Sequence, residues 1–314
     1  MTPEQAALLE AVRGLLDKRA GSAAVRAADG FDADLWRTLA EQIGVAALPI
    51  PEEYGGAGAS MVESALVLEE LGRALAPVPA LSSLIAAQAT DDAALLERIA
   101  SGELCAVVEI AAGTGPVLDA TDATLLLALT DEGTVLIEDA TVTGVSAMDP
   151  TLRFATVDLT TATTTQVSGD PAKARDAALI GLSALAAGCA RRGLEMTVAY
   201  AHQREQFGRP IGSFQALKHR LADMLVLAET TRSAARAAAA AEIEPVVAAA
   251  YCKEAVARVA AETVQLHGGI AITWEHDAHL VFKRAHALGQ LFGQAHELRR
   301  TVLDDSVARY SASR

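Results

Sequence analysis

Between residues 171 and 267 the chain returns again and again to alanine, in strings such as ALIGLSALAAGCA (178–190), RSAARAAAAA (232–241) and AVARVAAET (255–263). Alanine loses no side-chain entropy in a helix and lets neighbouring helix axes approach closely. Hydrophobic residues make up 51% of the 314 residues but aromatic residues only 4%. The core must therefore be built from Ala, Leu and Val, which favours long, tightly packed helices. The 3.6-residue spacing of apolar positions predicts one helix over about 171–202, a second over 213–241, a third over 245–267 and a fourth from about 277 into the tail. Four long helices joined by short turns make a bundle.

The first hundred residues read as helices too. TPEQ (Thr2–Gln5) is a capping box with Pro3 at the first helical position, and Leu8, Leu9, Val12, Leu15 and Leu16 follow on one face. A second helix runs through ADLWRTLAEQIG and stops at Gly44. Another runs through SMVESALVLEELGRAL until Pro77 and Pro79. Between them LPIPEEYGGAG (48–58) is a loop, because its prolines and glycines cannot continue a helix. From Leu104 the texture changes to short β-branched runs (CAVVEIA, ATLLLAL, GTVLIED, FATVDLT) separated by Gly, Thr and Asp. That segment ends near Gly169–Asp170 and is short for a sandwich or barrel of its own. The expected fold is mainly α: an N-terminal helical domain (1–103), an abbreviated β domain (104–170) and a C-terminal four-helix bundle (171–314).

A net charge of −14 argues against a nucleic-acid surface or an anionic membrane as partner. Cys105, Cys189 and Cys252 are widely spaced and form no CxxC pair, as expected of buried or half-buried thiols in a reducing compartment. The N-terminus lacks a basic stretch followed by an apolar run, and no window has the uninterrupted apolar length of a membrane span. A soluble, cytoplasmic protein is expected.

Two stretches carry candidate chemistry. In REQFGRPIGSFQALKHRLADM (204–224), Gly208 and Pro210 force a turn between two helices. The second helix offers free N–H groups and a positive dipole end, and Arg204 a fork of donors, all suited to phosphate. The same string also reads as an ordinary helix corner with a solvated arginine. In QLHGGIAITWEHDAHL (265–280), Gly268 and Gly269 form either a helix C-cap or a place where a diphosphate approaches backbone.

Taken together, the two strings in this order, with PEEYGGAG upstream, resemble the acyl-CoA dehydrogenase family, in which an RxxFG…FQ…LADM helix pair and a QxxGG turn recur. The order helical domain, β domain, bundle is that family's too. The resemblance implies an FAD-dependent oxidoreductase that dehydrogenates an acyl-CoA thioester between its α and β carbons, with electron-transfer flavoprotein as acceptor. It further implies that Arg204, Gln206, Phe207 and Gln215 contact the ADP half of FAD, and that Gln265, Gly268 and Gly269 hold ADP from a neighbouring subunit.

The sequence departs from the family where the reaction occurs. A carboxylate must take the α proton while a flavin takes the β hydride. The family's usual Glu, in an I-Y-E-G-T string, falls here on Phe292, or on Gly293 with a one-residue slip, within KRAHALGQLFGQAHELRR (283–300). The alternative position, on the first bundle helix, falls on Ala178; Asp176 is nearby but two residues out of register, hence on another face. Glu275 remains a candidate substitute, against the plainer reading of TWEHDAHL as an acidic helix start with Trp274 packed on the bundle. His276 and His279 are too sparse for a metal site, and none is expected; His286 and His296 read as surface or interface residues. Residues 104–170 also lack the T-E-P-x-x-G-S-D-like and W-I-T-N/S-like strings that hold the flavin ring in the family. Two readings follow. In one, the chain is a subunit that shares FAD across an interface with a longer homologue, as occurs in two-gene dehydrogenases for bulky polycyclic thioesters, its own catalytic competence left open. In the other it is a non-catalytic structural or regulatory subunit of such an assembly; whether the oligomer is homo- or heteromeric is left open by the sequence.

Overall fold

The computed structural model describes residues 1–109 and 115–312. Helices α1 (Pro3–Arg19), α2 (Ser22–Ala27), α3 (Ala33–Thr38), α4 (Met61–Ala74), α5 (Ala80–Ala89) and α6 (Ala93–Ala100) come first. Strands β1 (Cys105–Glu109), β2 (Val117–Leu118), β3 (Leu125–Thr130), β4 (Gly133–Glu138), β5 (Thr141–Val145), β6 (Phe154–Asp158) and β7 (Thr163–Val167) follow. Then come α7 (Pro171–Gln203), the short strands β8 (Glu205–Gln206) and β9 (Arg209–Pro210), α8 (Gln215–Ala239), α9 (Pro245–His267), α10 (Ala278–Gln290) and α11 (Ala295–Ala312). The chain divides into two compact units, Met1–Leu68 with Ala76–Gly181, and Glu69–Leu75 with Leu182–Arg314.

In the first unit the reciprocal capping box of Thr2 and Gln5 starts α1. After α3 the chain widens into a π-helical turn over Leu39–Ile43 and stops at Gly44 in the left-handed conformation, φ 74°. The loop 48–58 holds only a single 3-10 turn at Glu52–Tyr54. The β region forms two sheets. One has the order β1-β3-β4-β7, with β1 and β3 parallel and the rest antiparallel; the other is antiparallel with the order β2-β6-β5. Ala106, Val108, Leu126, Ala128 and Ile137 of the first sheet share a core with Val117, Ala155 and Val157 of the second. Four strands match the β-branched runs, and three more exist that those runs do not reveal. β2 is only two residues long, while β5 and β7 lie at sheet edges with almost every residue exposed. An edge strand wet on both faces has no reason to carry apolar residues.

The second unit is built around α9, which packs against α8, α10 and α11 and buries Ala248, Cys252, Val256, Val259 and Thr263. Small residues set its closest crossing. A Cβ at Gly188 of α7 would lie 1.9 Å from the Glu69 carbonyl oxygen and 2.5 Å from the Arg73 nitrogen. Acids beside that crossing are buried and paired. Glu69 accepts two bonds from Arg236, at 3.0 and 2.8 Å, and Glu70, 1% exposed, accepts from Arg73 at 3.1 Å and Arg191 at 3.3 Å. The three cysteines are buried and form no disulfide. Of the described residues, only α7 forms a helix long and apolar enough to cross a membrane, and most of its apolar window is buried.

The expected fourth helix, from about 277 to the tail, is in fact two. Phe292 (φ 54°) and Gly293 (φ 86°) both take the left-handed conformation, which ends α10 and re-aims α11. The buried ammonium of Lys253 on α9 donates to the carbonyls of Leu291 and Gly293, satisfying acceptors that the break leaves without helical partners. Burial pulls the Lys253 pKa down to about 8 against a weaker upward pull from Glu297.

Candidate functional site

The corner after α7 is a folded device. Arg204 directly follows the last residue of α7, and its N–H bonds to Tyr200 at 2.8 Å. β8 and β9 pair as a hairpin whose two loop residues, Phe207 and Gly208, both have positive φ, 53° and 76°. That is the twist a two-residue hairpin turn favours, normally with Asn-Gly rather than Phe-Gly. Phe207 is 91% exposed, its ring edge-on to Phe214 at 6.0 Å, while Arg209 lies 4.1 Å over the Phe214 ring. Apart from that edge contact, a bulky residue in the left-handed region and mostly in water gains little within the chain, and such strain gathers at binding sites. α8 begins at Gln215, two residues later than its spacing suggested, because Ile211–Ser213 forms a 3-10 turn first; no side chain caps its N-terminus. Arg204, Gln206 and Gln215 are all exposed, with Gln206 bonded to the Glu205 carbonyl and Gln215 3.4 Å from His219.

The second device is at the C-terminus of α9. Gly268 has φ 65° and ψ −144°, a conformation open to glycine and hardly to any other residue, and its N–H caps Val264. Gly269 has no positive φ, and a Cβ there, as at Gly268, would meet nothing within 4 Å. Nothing inside the chain demands a glycine at 269. Gln265 is exposed one turn earlier.

Three rings join the two devices. Tyr200, whose carbonyl holds Arg204, stacks on His267 with centroids 4.5 Å apart, and His267 is 4.5 Å from His276. The Arg204 corner and the Gly268–Gly269 turn thus lie at one end of the same unit. His267 is 3% exposed, with Nδ1 2.7 Å from the Thr263 carbonyl. Burial, aided by His276, pulls its pKa below the usual imidazole range. Neither Tyr200 nor His267 stood out in the sequence, where the only signal was a position one turn before Arg204 or one residue before Gly268.

The candidate base positions lie in plain structural settings. Ala178 is 4% exposed, and Asp176, two residues earlier on α7, is exposed. Arg175 beside it makes a two-pronged pair with Glu109, at 2.7 and 3.0 Å. Phe292 and Gly293 form the left-handed break between α10 and α11, with Lys253 bonded to the carbonyls flanking Phe292. Glu275 is exposed, its N–H 3.4 Å from the Thr273 hydroxyl. Trp274 packs on the bundle only at its surface: it lies against Lys283 at 4.7 Å and the His279 ring at 4.6 Å, both on α10, yet stays 66% exposed. Asp277, at the α10 N-cap, pairs with Arg192 at 3.6 Å instead of capping the helix.

Residues 2–103 match the family model of the acyl-CoA dehydrogenase N-terminal domain, and residues 178–306 that of the acyl-CoA dehydrogenase C-terminal domain. Acyl-CoA dehydrogenase IpdE2 of Mycobacterium tuberculosis is 44% identical over 315 residues, covering 96% of this chain and 98% of that one. Among solved structures, a variant of the Tcur3481-Tcur3483 steroid ACAD matches with a TM-score of 0.86 at 27% identity, over 98% of this chain and 99% of the other. The ChsE4-ChsE5 complex from Mycobacterium tuberculosis matches with a TM-score of 0.82 at 28% identity, over 98% of each chain. With both family models matched and a curated acyl-CoA dehydrogenase aligned along nearly its whole length, the chain belongs to the acyl-CoA dehydrogenase family.

Proposed function

We propose that this chain is the dinucleotide-gripping subunit of a heteromeric acyl-CoA dehydrogenase, acting on a bulky acyl-CoA thioester with a longer homologue that supplies the flavin-ring contacts and the catalytic carboxylate. The observation that carries this reading is the α10–α11 break. Where the family's base would fall stand Phe292 and Gly293, in a left-handed turn fixed from inside by Lys253, with no carboxylate at either position. The relatives support the assembly: one is a complex of two named subunits and another a two-component steroid ACAD. In this reading the three sequence segments, 1–103, 104–170 and 171–314, keep the family's domain roles.

The residues present fit the ADP half of FAD. Gly268 and Gly269 leave open space beside the backbone, the α8 N-terminus is uncapped, and Arg204 is exposed beside a strained, solvent-facing Phe207. Arg204, Gln206, Phe207 and Gln215 hold one dinucleotide, and Gln265, Gly268 and Gly269 the diphosphate of one shared with the neighbouring subunit. FAD, when bound, supplies the acceptor for the β hydride. The chain's own part is to orient the dinucleotide by its phosphates, while the α proton goes to the partner's carboxylate. Electron-transfer flavoprotein is the expected acceptor and the bacterial cytoplasm the expected setting.

The test is co-purification with a longer acyl-CoA dehydrogenase homologue from the same organism. The mixture should carry flavin and dehydrogenate an acyl-CoA, whereas the chain alone should do neither. Arg204→Ala should weaken flavin binding by the mixture by about tenfold or more, the loss of one charge-assisted fork. Flavin binding unchanged in that variant would sink the half-site idea. Turnover by the chain alone would point to Glu275 or Asp176 as the next residues to change.

A further inference from the structure

We propose that Tyr200 and His267 are positioning residues. With His276 they form an aromatic brace that holds the Gly268–Gly269 turn in register with the Arg204 corner, and the brace releases the turn when His267 takes up a proton. This rests on the reading above that the two devices grip one kind of ligand, an anionic dinucleotide, and adds how their mutual placement is set.

The geometry is specific about protons. His267 Nδ1 lies 2.7 Å from a carbonyl, Thr263, so it must carry a hydrogen and donate. His276 Nδ1 lies 3.2 Å from the Ala278 N–H and must accept, so its own hydrogen sits on Nε2 and a proton on Nδ1 would break that bond at the start of α10. The three rings form a triangle: Tyr200 stacks on His267 with centroids 4.5 Å apart, His276 is tilted against His267 at 4.5 Å, and Tyr200 lies 6.0 Å from His276. From each element packed on His267, the facing groups are Tyr200 and the Met196 backbone on α7, Thr263 on α9, and His276 on the following loop. Asp277, next to His276, pairs with Arg192.

Burial lowers the His267 pKa, so the ring is neutral at neutral pH. As pH falls, the unfolded or opened ring, with its ordinary value near 6.5, binds the proton first. Closure of the brace is then fully favourable above about 6.5 and is lost as pH drops through the lowered folded value. A proton on His267 also places positive charge near the turn, which by itself attracts a diphosphate. But a ring only 3% exposed has to leave its pocket to be solvated, and it is joined directly to Gly268. Loss of placement then outweighs the added charge.

The test begins with the full-length chain without ligand. Amide hydrogen exchange of residues 268–273 is compared at pH 7.5 and 5.5, corrected for intrinsic rates and referred to mid-α9 amides. In the wild type these amides should lose protection on acidification, by at most about tenfold at pH 5.5. His267→Phe keeps a ring without a titrating nitrogen and should show no such change, while Tyr200→Ala should exchange fast at both pH values with helix content intact. Equal acid shifts in the wild type and His267→Phe, or no shift in the wild type, would overturn the brace. A second arm follows flavin release from the co-purified assembly over the same pH range. Release that steepens on acidification in the wild type and not in His267→Phe supports the brace, and identical profiles refute it while leaving the functional reading in place. If the assembly binds no flavin, the functional reading falls, and the exchange measurement still decides the brace.

Discussion

Lys253 offers a sharp test of how the α10–α11 break is held. Its ammonium is buried and bonded to two carbonyls, and its pKa falls from 10.5 to about 8. A depressed lysine pKa means that the unfolded chain binds the proton more tightly between pH 8 and 10.5. Stability from this group is therefore fully present above about 10.5 and is lost as pH falls toward 8. The full difference of 2.5 units corresponds to about 3 kcal/mol, of which about 2 kcal/mol is recovered between pH 8 and 10. The wild-type curve alone would hide this gain. Burial raises the Cys105 and Cys252 thiols from 9.0 to about 12, so they destabilise the fold as pH rises through the same range. Lys253→Met keeps most of the stem volume and does not titrate, and the cysteine contributions cancel between the two proteins. The stability lost by leaving the Leu291 and Gly293 carbonyls without any nitrogen donor is independent of pH. The assay is urea unfolding of both proteins at pH 8, 9 and 10 at constant ionic strength. The wild type should gain about 2 kcal/mol on the variant across that window. A gap that stays constant would refute the picture of a desolvated ammonium holding the break.

Two further perturbations address the second unit. Gly188→Ala would drive a Cβ to 1.9 Å from one backbone atom and 2.5 Å from another, neither of which can rotate away, so a loss of about 3 kcal/mol is expected in urea unfolding, and a loss under about 1 would mean that the crossing yields easily. Arg236→Ala strands the Glu69 carboxylate, whose side chain is 4% exposed, and should cost about 3–5 kcal/mol at pH 7, whereas Glu69→Gln, which leaves a neutral group, should cost clearly less. Equal losses in the two would show that the pair acts by packing rather than charge.

The long helices were legible because alanine-rich repetition is a local signal: the bounds of α7 and α9 fall within a residue or two of the spacing. β5 and β7 were not, since an edge strand such as TTTQV owes its conformation to a neighbour and carries no apolar alternation of its own. Nor was the break at Phe292–Gly293, where a glycine inside a helical period signals little until a distant lysine is seen to hold the freed carbonyls. The site divides in the same way. Arg204 and the glycine pair were visible because they belong to short strings whose order carries information. Tyr200 and His267 were hidden, because a stack between α7 and α9 is a contact about 67 residues apart in sequence that no window spans. Sequence strings thus name candidate ligand contacts, while the side chains packed behind them are found only in the fold. The absence of a carboxylate at 292 and 293 is of the first kind, a fact of the string. That Phe292 stands there in a strained, internally anchored turn is of the second kind, and it favours a turn built to be rigid over one whose acid was simply lost.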